Sequence, residues 1–314
     1  MSFQNRVFGC VIVKSINSNY NADFSHQPRT LPDGTVYATD KALKYAIKNY
    51  LKDIHPDEKV FYFKRFDKEF KPFSLDEAYA DMFPDHADEK NKTIVAKDIL
   101  SCLDIRLFGA TFAKKGKSKD SNVAISVHGP VQINHGVNIW HENNIFSEQI
   151  MSPFRNPKAS DDEEGKSDAS TLGRQSKLQE GHYLHHFSIN PNNLKDITVL
   201  AGEGAASISL DDITKLKEAM RKGVTYYDSA AKAGTDNELL LWVQLKKDSK
   251  VVLPNFNRLI TVKKDDNKMA FDFARVASLL DKYTNDVESV EIYYQSENTK
   301  VDNPPANAQL LDLN

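Results

Sequence analysis

Cysteine and long apolar runs are both scarce in this chain of 314 residues. The only cysteines, Cys10 and Cys102, lie far apart in apolar surroundings, which predicts buried, reduced thiols and gives no metal-binding spacing. The longest apolar runs, such as Leu239–Val243, are far shorter than the roughly 20 residues that span a bilayer. The first residues, MSFQNRVFGC, lack the apolar core of a secretory signal. We therefore expect a cytoplasmic protein without membrane contact.

The short motifs that mark many enzyme active sites are also missing. GEGAAS at 202–207 has no phosphate-loop lysine, and neither a GxSxG turn nor an HExxH motif occurs. His182, His185 and His186 come nearest to a metal or acid–base cluster. In a strand, His182 and His186 would share one face and His185 the other, and no cysteine or carboxylate pair completes a ligand set. We predict no metal site and no cofactor.

Net charge is low as well: −3, with a pI near 6.3. This weighs mildly against a nucleic-acid partner, because proteins that bind nucleic acid tend to be basic. The charges are nevertheless separated along the chain, and Lys114, Lys115, Lys117 and Lys119 fall close together. Such a cluster fits either a solvated turn or contact with the backbone of a polyanion. A surface patch of one sign is thus compatible with the near-neutral total.

Hydrophobic periodicity predicts an alternation of strands and helices. Apolar or alternating runs predict strands at Arg6–Ile16, Val60–Phe66, Asp104–Ala113, Val123–Ile133, His182–Ile189, Glu238–Lys246 and Ser289–Tyr294. Apolar stripes at helical spacing predict helices at Asp40–Asp53, Ser74–Phe83, Lys92–Leu103, Leu210–Lys222 and Phe271–Tyr283. The polar, proline-bearing segment from Gln295 onward predicts a poorly ordered tail. The order of elements indicates an α+β fold, one sheet with helices packed on one face.

The longest polar connection runs from Ser147 to Asn190. It includes roughly thirty residues, mainly Ser, Asp, Glu, Lys and Gly, that cannot build a core, so the connection is disordered or has a function. Its later part, Gly173–Lys177, is basic. Its start carries apolar and cationic side chains: Ile150, Met151, Pro153, Phe154 and Arg155. An arm with these two ends can wedge and grip a ligand.

A group of amide and basic side chains surrounds the loop after the first predicted strand. The group consists of Lys14, Asn17, Asn19, Asn21, Arg29, Lys41 and Lys44. Asparagine favours turns for local reasons, so turn chemistry and ligand contact both remain open for the amides. If the loop folds back, the lysines would form a cationic pocket near a helix N-terminus, which suits a phosphate.

Arg106 stands between apolar neighbours in the segment DIRLFG. An isolated buried charge there would be costly, so the guanidinium needs a partner. A carboxylate and a phosphate would serve equally well, and the sequence leaves both open.

Six blocks, taken in order, resemble one family. They are NRVFGCVIVKSINSNYNADF, DGTVYATDKALKYAIKNYL, LDIRLFGATFA, ISVHGPVQI, SEQIMSPFRN and STLGRQSKLQEGHYLHHFSINP. Together they resemble the backbone subunit of the CRISPR Cascade effector, the seventh CRISPR-associated protein family of the RAMP superfamily, in its type I-B branch. The resemblance is close from Arg6 to Pro191 and loose beyond. Each block alone would be a weak signal.

For the fold, the resemblance implies an α+β protein with a modified RRM-like (ferredoxin-like) palm, helical finger insertions and a β-hairpin thumb. Residues 1–146 and 182–294 would form the palm, with fingers inserted at about 55–100. Residues 147–181 would form the thumb, and 295–314 a polar tail. The aromatic RNA-binding signature of RRM domains is absent, so base stacking on the sheet is not implied.

For function, the resemblance implies a non-catalytic, antiviral CRISPR RNA-binding subunit that polymerises head to tail into a helical filament, kinks the guide at regular intervals and presents it for target DNA pairing. Its partners would be the CRISPR RNA, target DNA through the guide, further copies of itself and the large, small, 5′-handle-binding and repeat-processing subunits of Cascade. The predicted RNA contacts are Lys14, Asn17, Asn19, Asn21, Arg29, Lys41, Lys44, Arg106, Lys114, Lys115, Lys117, Gln149, Met151, Phe154, Arg155, Arg174, Gln175 and Lys177.

Within that set, Met151 and Phe154 are candidate wedges, with core packing as their alternative, and Arg155, Arg174 and Lys177 are candidate backbone grips. Two other functions remain open. The first is a metal-dependent target-RNA ribonuclease of the same superfamily. Related subunits of type III complexes cut target RNA with a first-loop aspartate, and Asp23 and Asp33 lie in that region here. A protein-interaction module without nucleic acid is the third reading.

Overall fold

The computed structural model describes residues 1–114, 122–151 and 172–314, with Met151 and Leu172 described by their backbone alone. The helices are α1 Asp40–Ile54, α2 Leu75–Met82, α3 Lys92–Leu100, α4 Leu103–Phe108, α5 Lys195–Ala201, α6 Leu210–Tyr226 and α7 Ala274–Leu280. The strands are β1 Val7–Ser18, β2 Tyr37–Ala38, β3 Gly109–Lys114, β4 Val123–His128, β5 Val131–Ile133, β6 Gly136–Asn138, β7 Ile145–Met151, β8 Leu172–Ile189, β9 Thr235–Leu245, β10 Thr261–Asp265, β11 Lys268–Asp272, β12 Val287–Tyr294, β13 Thr299–Asp302 and β14 Ala308–Asp312.

One large sheet organises these elements. Its strands lie in the order β14-β12-β9-β1-β8-β6-β2, and β5 and β7 also pair with β8. Every ladder in this sheet is antiparallel except the parallel pair of β12 and β14. A three-stranded sheet, β10-β11-β13, and a hairpin of β3 and β4 complete the described sheets.

β8 is the longest of the described strands, and its two parts pair with different strands. Its second part pairs with β1 without a register shift, from Leu178 opposite Ser18 to Ile189 opposite Val7. Its first part pairs with β7 instead. Residues 145–151 and 172–178 therefore form a two-stranded extension of the sheet, called here the β7–β8 ribbon. The predicted arm begins as a continuation of a buried strand.

Helices α1 and α6 cover one face of the sheet and pack against each other. The stripe predicted for α1 is confirmed, because its buried residues are Leu43, Ala46, Ile47, Tyr50 and Leu51. Alternate residues of β1, such as Val11 and Val13, meet this helical layer. Each fully buried large apolar side chain stabilises the fold by about 1.5–3 kcal/mol relative to exposure.

The opposite face of the sheet is also covered, which corrects the expectation of helices on one face only. Cys10 and Ile12 point into a second core together with Leu241 and Val243. Phe256, Phe271, Phe273, Val276 and Leu280 close that core from α7, β11 and the adjoining loops. This layer leaves the central strands without a free face on which bases could stack.

Two predicted strands are wrong in the region before β4. Asp104–Ala113 divides into α4 and β3, with the break at Gly109, whose φ of +74° favours glycine. Val60–Phe66 is irregular and contributes a single bridge between Phe66 and Pro72. Phe61 is buried against Phe112 of β3 and Phe63 stacks on Tyr45 of α1, which explains part of the apolar pattern.

Two further expectations about the C-terminal part need correction. The helix predicted for Phe271–Tyr283 begins only at Ala274, since Phe271 belongs to β11. The polar segment from Gln295 onward contains β13 and β14, which add parallel strands to β11 and β12.

The cysteine prediction is confirmed, because both thiols are free and buried. Within the described residues, no helix is long and apolar enough to cross a membrane.

Candidate nucleic-acid interface

A cleft beside the first half of α1 gathers three lysines. Lys41, Lys44 and Lys48 are spaced three and four residues apart, so they lie on one side of the helix. They line a cavity of about 250 Å³ whose opposite wall is formed by the end of α4 and the start of β3. The structure thus brings Lys41 and Lys44 together, as predicted, and adds Lys48. This group is called the α1 cleft below.

A buried carboxylate forms the floor of the α1 cleft. The two oxygens of Asp104 accept hydrogen bonds from the backbone N–H groups of Phe61 and Tyr62 at 2.8 and 2.9 Å. Desolvation by burial raises the pKa of Asp104, while these two bonds oppose the rise. The carboxylate is therefore used to hold the chain at 61–62 against α4, and this fixes the wall of the cleft.

The lysines differ in how much charge they offer to a ligand. Lys48 donates to the Tyr62 carbonyl at 2.6 Å, and burial lowers the pKa of its ammonium. Lys44 is half-buried and lies 3.0 Å from the Asp40 carboxylate. Lys41 is exposed. With three cations against Asp40 and the floor carboxylate, the cleft keeps a positive balance.

The start of α1 adds to this positive character. Thr39 is the N-cap residue, but its side chain does not cap the helix, because its hydroxyl donates to Asn21 Oδ1 at 3.0 Å. The Asp40 N–H donates to His135 Nδ1 at 3.3 Å. N–H groups without a capping side chain, together with the helix dipole, give this end a partial positive charge. The cleft and the helix start form a surface suited to an oxyanion.

Two asparagines of the β1–β2 loop connect the α1 cleft with the β7–β8 ribbon. Asn21 Oδ1 also accepts from the Thr39 N–H at 2.9 Å, which fixes the start of α1. Asn19 is buried, and its Nδ2 donates to the Ser176 carbonyl at the base of the ribbon at 3.0 Å. Asn19 Nδ2 and Asn21 Oδ1 are both used inside the protein, in bonds to distant segments rather than in local turn chemistry. Their role is to hold the two halves of the interface in place.

The remaining predicted residues of this region lie in three different settings. Asn17 is exposed in the left-handed region, with φ +49°. Arg29 is half-buried, and its Nε is buried without a hydrogen-bond partner among the described residues. Lys14 lies 3.8 Å from Asp236 and lines a separate cavity of about 490 Å³ with Arg221. The structure therefore does not bring Lys14 into the α1 cleft.

The two faces of the β7–β8 ribbon differ in the freedom of their side chains. Gln149 and Arg174 are directly opposite each other across the ladder, and both are exposed. Neither side chain has a hydrogen bond or ion pair to the described residues. On the other face, Lys177 pairs with Glu148 at 3.1 Å, and Gln175 Nε2 donates to a loop carbonyl at 3.2 Å. The face with Gln149 and Arg174 is the one open to a ligand.

Arg106 is a structural residue of the core. Its Nη2 lies 2.9 Å from Asp212 Oδ1, and its Nε donates to Asp212 Oδ2 at 3.2 Å. Nη2 also lies 3.5 Å from Glu58, and Nη1 donates to the carbonyls of Leu100 and Ser101. The carboxylate alternative accounts for this guanidinium, which has little surface left for a phosphate.

Lys114 likewise has an internal role. Its ammonium donates to the carbonyls of Ala87 and Glu89 and lies 4.6 Å above the Tyr79 ring, so it anchors the segment after α2 to β3. Four other predicted contacts lie outside the described residues: Lys115, Lys117, Phe154 and Arg155. For Met151 the structure gives the backbone position alone, opposite Leu172 at the outer end of the ribbon.

Two lysines near the interface escaped prediction from sequence. Lys48 follows Lys44 by four residues on a predicted helix, and this spacing could have indicated it. Lys232 donates to the Tyr20 carbonyl, and its Nζ lies 5.1 Å from the centre of the Tyr20 ring. Burial lowers the pKa of Lys232 to about 8. No local pattern marks Lys232, since its position depends on contacts between distant loops.

The three histidines of β8 are packed separately and do not converge. His182 Nδ1 lies 2.5 Å from the buried Glu238 carboxylate. His185 lies between the Tyr20 hydroxyl, at 3.2 Å, and a backbone carbonyl, while His186 Nδ1 accepts from the Phe256 N–H at 3.4 Å. Among the residues that the structure describes, no group of three or more potential ligands is placed to hold a metal ion.

Burial of two of these histidines predicts a pH-dependent stability. Desolvation lowers the pKa of both His185 and His186 from 6.5 to about 4. Below pH 6.5 the unfolded chain binds protons that the folded chain excludes, so the free energy of unfolding falls as pH drops toward 4. The slope is up to about 1.4 kcal/mol per pH unit for each histidine. Urea unfolding across this window should show a shallower slope for His185→Gln, and equal slopes would contradict the assignment.

Asp23 and Asp33, the aspartates of the ribonuclease alternative, both stabilise turns. Asp23 Oδ1 accepts from the N–H groups of Ser25 and Gln27 at 2.8 and 2.9 Å. Asp33 Oδ1 accepts from the Thr35 N–H at 2.9 Å, and this bond lowers the pKa of Asp33. Each carboxylate thus has a local structural partner.

These features define an α+β protein with a large central sheet, a protruding β-ribbon and a cationic cleft beside it. Residues 5–281 match the family described as "CRISPR-associated protein Cas7". Because this match covers most of the 314 residues, the chain belongs to that family.

Comparison with solved structures agrees with this assignment at the level of the fold. The chain is similar to one in a structure titled "CRISPR RNA-guided surveillance complex, pre-nicking", with a TM-score of 0.53 and 14% sequence identity. The alignment covers 96% of this chain and 97% of that chain. At this identity the likeness shows the fold alone. A comparison with curated proteins found no match.

Proposed function

We propose that this chain is a non-catalytic backbone subunit of a type I CRISPR surveillance complex, of the I-B branch, that binds CRISPR RNA for antiviral defence. Copies of the chain stack head to tail along the guide, kink it at regular intervals and leave the bases between the kinks free for target DNA. The observation that carries this proposal is the link, through Asn19 and Asn21, between the α1 cleft and the β7–β8 ribbon.

The strand order supports an RRM-like palm. In chain order, β1, α1, β6, β8, α6 and β9 form a βαββαβ pattern, and the four strands lie side by side as β9-β1-β8-β6. All three ladders are antiparallel, and both helices pack on the same face. In this proposal the β7–β8 ribbon is the base of the thumb, and the insertion after α1, at about 55–100, supplies the fingers.

The site suits a ligand held without reading its sequence. The α1 cleft offers ammonium groups and a helix start to phosphates, and the open ribbon face offers Arg174 and Gln149. The second core covers the sheet face that RRM domains use for base stacking. Binding through phosphates leaves Watson–Crick edges free, as a guide RNA requires. In the same proposal Met151 or Phe154 is the wedge and Arg155 a backbone grip.

Sizing of the purified protein with RNA tests the proposal directly. Light scattering coupled to gel filtration should show that the number of bound copies rises with RNA length. A scrambled RNA of equal length should bind the same number of copies, and complementary RNA with a divalent metal should remain uncut. One copy per RNA at every length, or a strict sequence preference, would contradict the proposal.

The two faces of the ribbon predict unequal effects for two basic residues. Arg174→Ala should weaken RNA binding about tenfold and lower the salt slope by about 0.7, the loss of one phosphate contact on a single strand. Lys177→Ala serves as the matched control, because Lys177 already pairs with Glu148 and should change affinity less. Filter binding over a series of salt concentrations measures both. A larger effect at Lys177 would reverse the assignment of the faces.

A further inference from the structure

A tight turn at the tip of the insertion after α1 presents an aromatic side chain to solvent. Asp67 Oδ1 accepts from the N–H groups of Glu69 and Lys71 at 2.8 and 2.9 Å, and the Asp67 N–H donates to the Lys71 carbonyl at 2.9 Å. The Phe70 N–H donates to the Asp67 carbonyl at 3.1 Å. These bonds fix the backbone of the turn, and with it the backbone conformation of Phe70.

Phenylalanine at position 70 is energetically unfavourable for the backbone conformation found there. Its φ is +62°, a left-handed conformation that glycine and asparagine adopt more readily than phenylalanine. Its side chain is 86% exposed, so burial of the ring does not offset that cost. The same hydrogen-bonded turn occurs at Asp23, where His26 takes the left-handed position at φ +61°. Folding of the turn therefore does not require an aromatic ring.

The segment that carries the exposed ring has a net positive charge. Residues 64–71 contain four basic and two acidic side chains, a net charge of +2. Lys64 Nζ lies 4.7 Å from the centre of the Phe66 ring, which is itself 52% exposed. Arg65 anchors the turn to α2 through Asp81 at 3.0 Å. Lys71 forms an exposed ion pair with Glu69 at 2.5 Å, so Lys64 and Lys68 are the cations of this turn without an ion pair to the described residues. Phe66 and Phe70, with Lys64 and Lys68, are called the aromatic tip below.

We propose that the aromatic tip binds a single-stranded nucleic acid, with Phe70 stacking on a base and the lysines contacting phosphates. Exposed aromatic rings flanked by cations are the usual means of holding single strands without sequence preference. Protein–protein interfaces are enriched in phenylalanine but depleted in lysine, so it is the flanking lysines that favour a polyanion over a protein partner. The tip is a separate site from the α1 cleft. This proposal rests on the proposed function only for the identity of the bound strand, which is either the guide RNA or a second strand.

Substitutions at one backbone position distinguish stacking from simple apolar contact. Phe70→Leu keeps an apolar side chain but removes the aromatic face, whereas Phe70→Tyr keeps the face. Val252→Ala is the control, because Val252 is 64% exposed and lies outside the tip. Each variant is loaded with RNA and titrated with a fluorescent oligothymidylate that cannot pair with that RNA. Loading of the RNA itself is measured separately.

Phe70→Leu should weaken oligothymidylate binding by about fivefold or more, while Phe70→Tyr and Val252→Ala should stay within about twofold of the unaltered protein. Weaker RNA loading by Phe70→Leu, with unchanged oligothymidylate binding, would also support the tip and identify the guide as its strand. Unchanged affinity in both measurements would overturn the proposal.

The test stays separate from that of the proposed function. If the unaltered protein loads no RNA, the same titration on free protein still decides whether the tip binds a single strand. Irradiation of a 5-iodouracil oligonucleotide, followed by mass spectrometry, supplies a direct readout. Crosslinks are expected at Phe70 or Phe66, and crosslinks confined to other segments would overturn the assignment.

Discussion

Arg106→Ala is expected to lower the free energy of unfolding by about 3–5 kcal/mol, because it leaves buried carboxylates without their partner. The guanidinium contacts Asp212 through two nitrogens and Glu58 through one. Asp212 is 2% exposed and belongs to the capping box of α6, where its Oδ2 also accepts from the Ser209 N–H. Loss of Arg106 therefore disturbs both the ion pair and the start of a core helix.

Urea unfolding measures this effect, and an exposed ion pair away from Arg106 provides the control. Lys300 Nζ lies 2.6 Å from Asp265 at the surface and shares no partner with Arg106, so Lys300→Ala should cost about 1 kcal/mol or less. The fraction of Arg106→Ala protein that stays folded should bind RNA with unchanged affinity. A small loss of stability together with a large loss of RNA affinity would restore the phosphate alternative for Arg106.

Lys41→Ala combined with Lys44→Ala should weaken RNA binding by roughly tenfold or more, since two ammonium groups of the α1 cleft are removed. The logarithmic dependence of affinity on salt should become shallower by about 1.4, the value for two phosphate contacts on a single strand. Fluorescence anisotropy at several salt concentrations gives both quantities. The slope is the more informative result, because a folding defect lowers affinity without removing counterion release.

Lys247→Ala combined with Lys250→Ala is the charge-matched control for this experiment. Both lysines are exposed on the loop after β9 and line neither the α1 cleft nor the ribbon. The control pair changes net charge by the same amount, but it lies away from the cleft. Its removal should therefore leave the salt slope nearly unchanged. Equal slopes for the two double variants would remove the cleft from the RNA interface.

Elements with a local signal were predictable from sequence. The apolar stripe of α1 determined both its limits and its buried face. Ser74 and Glu77 form a capping box, which a serine followed by a glutamate three residues later indicates directly. The continuous apolar run of β1 indicated a strand buried on both sides, and both faces are covered.

Elements decided by distant contacts were not predictable. In α4, Leu103, Ile105 and Leu107 are all buried and so are Asp104 and Arg106, so no periodicity separates a helix from a strand. The polar residues after Gln295 form strands because β11 and β12 offer them parallel edges. Such pairing leaves little trace in the composition of the added strand.

The interface shows the same division. Helical spacing placed Lys41 and Lys44 on one face, and composition identified the basic part of the arm. Which face of the ribbon stays open depends on pairing between Glu148 and Lys177, which no single-strand pattern contains. The partner of Arg106 lies in α6, 106 residues away at Asp212, so the sequence left it undecided.

The uninterrupted course of β8 has a mechanical consequence. A strand of 18 residues, at about 3.3 Å for each, is a rod of roughly 60 Å that begins in the ribbon and ends in the core. The distance that the ribbon extends from the sheet is thus set by the number of residues in one continuous strand. Adding two residues to both ribbon strands would lengthen the reach by about 7 Å and keep every side chain on its face, while adding one would reverse the faces. In the stacked assembly proposed above, the number of residues in the ribbon would set the spacing between neighbouring copies.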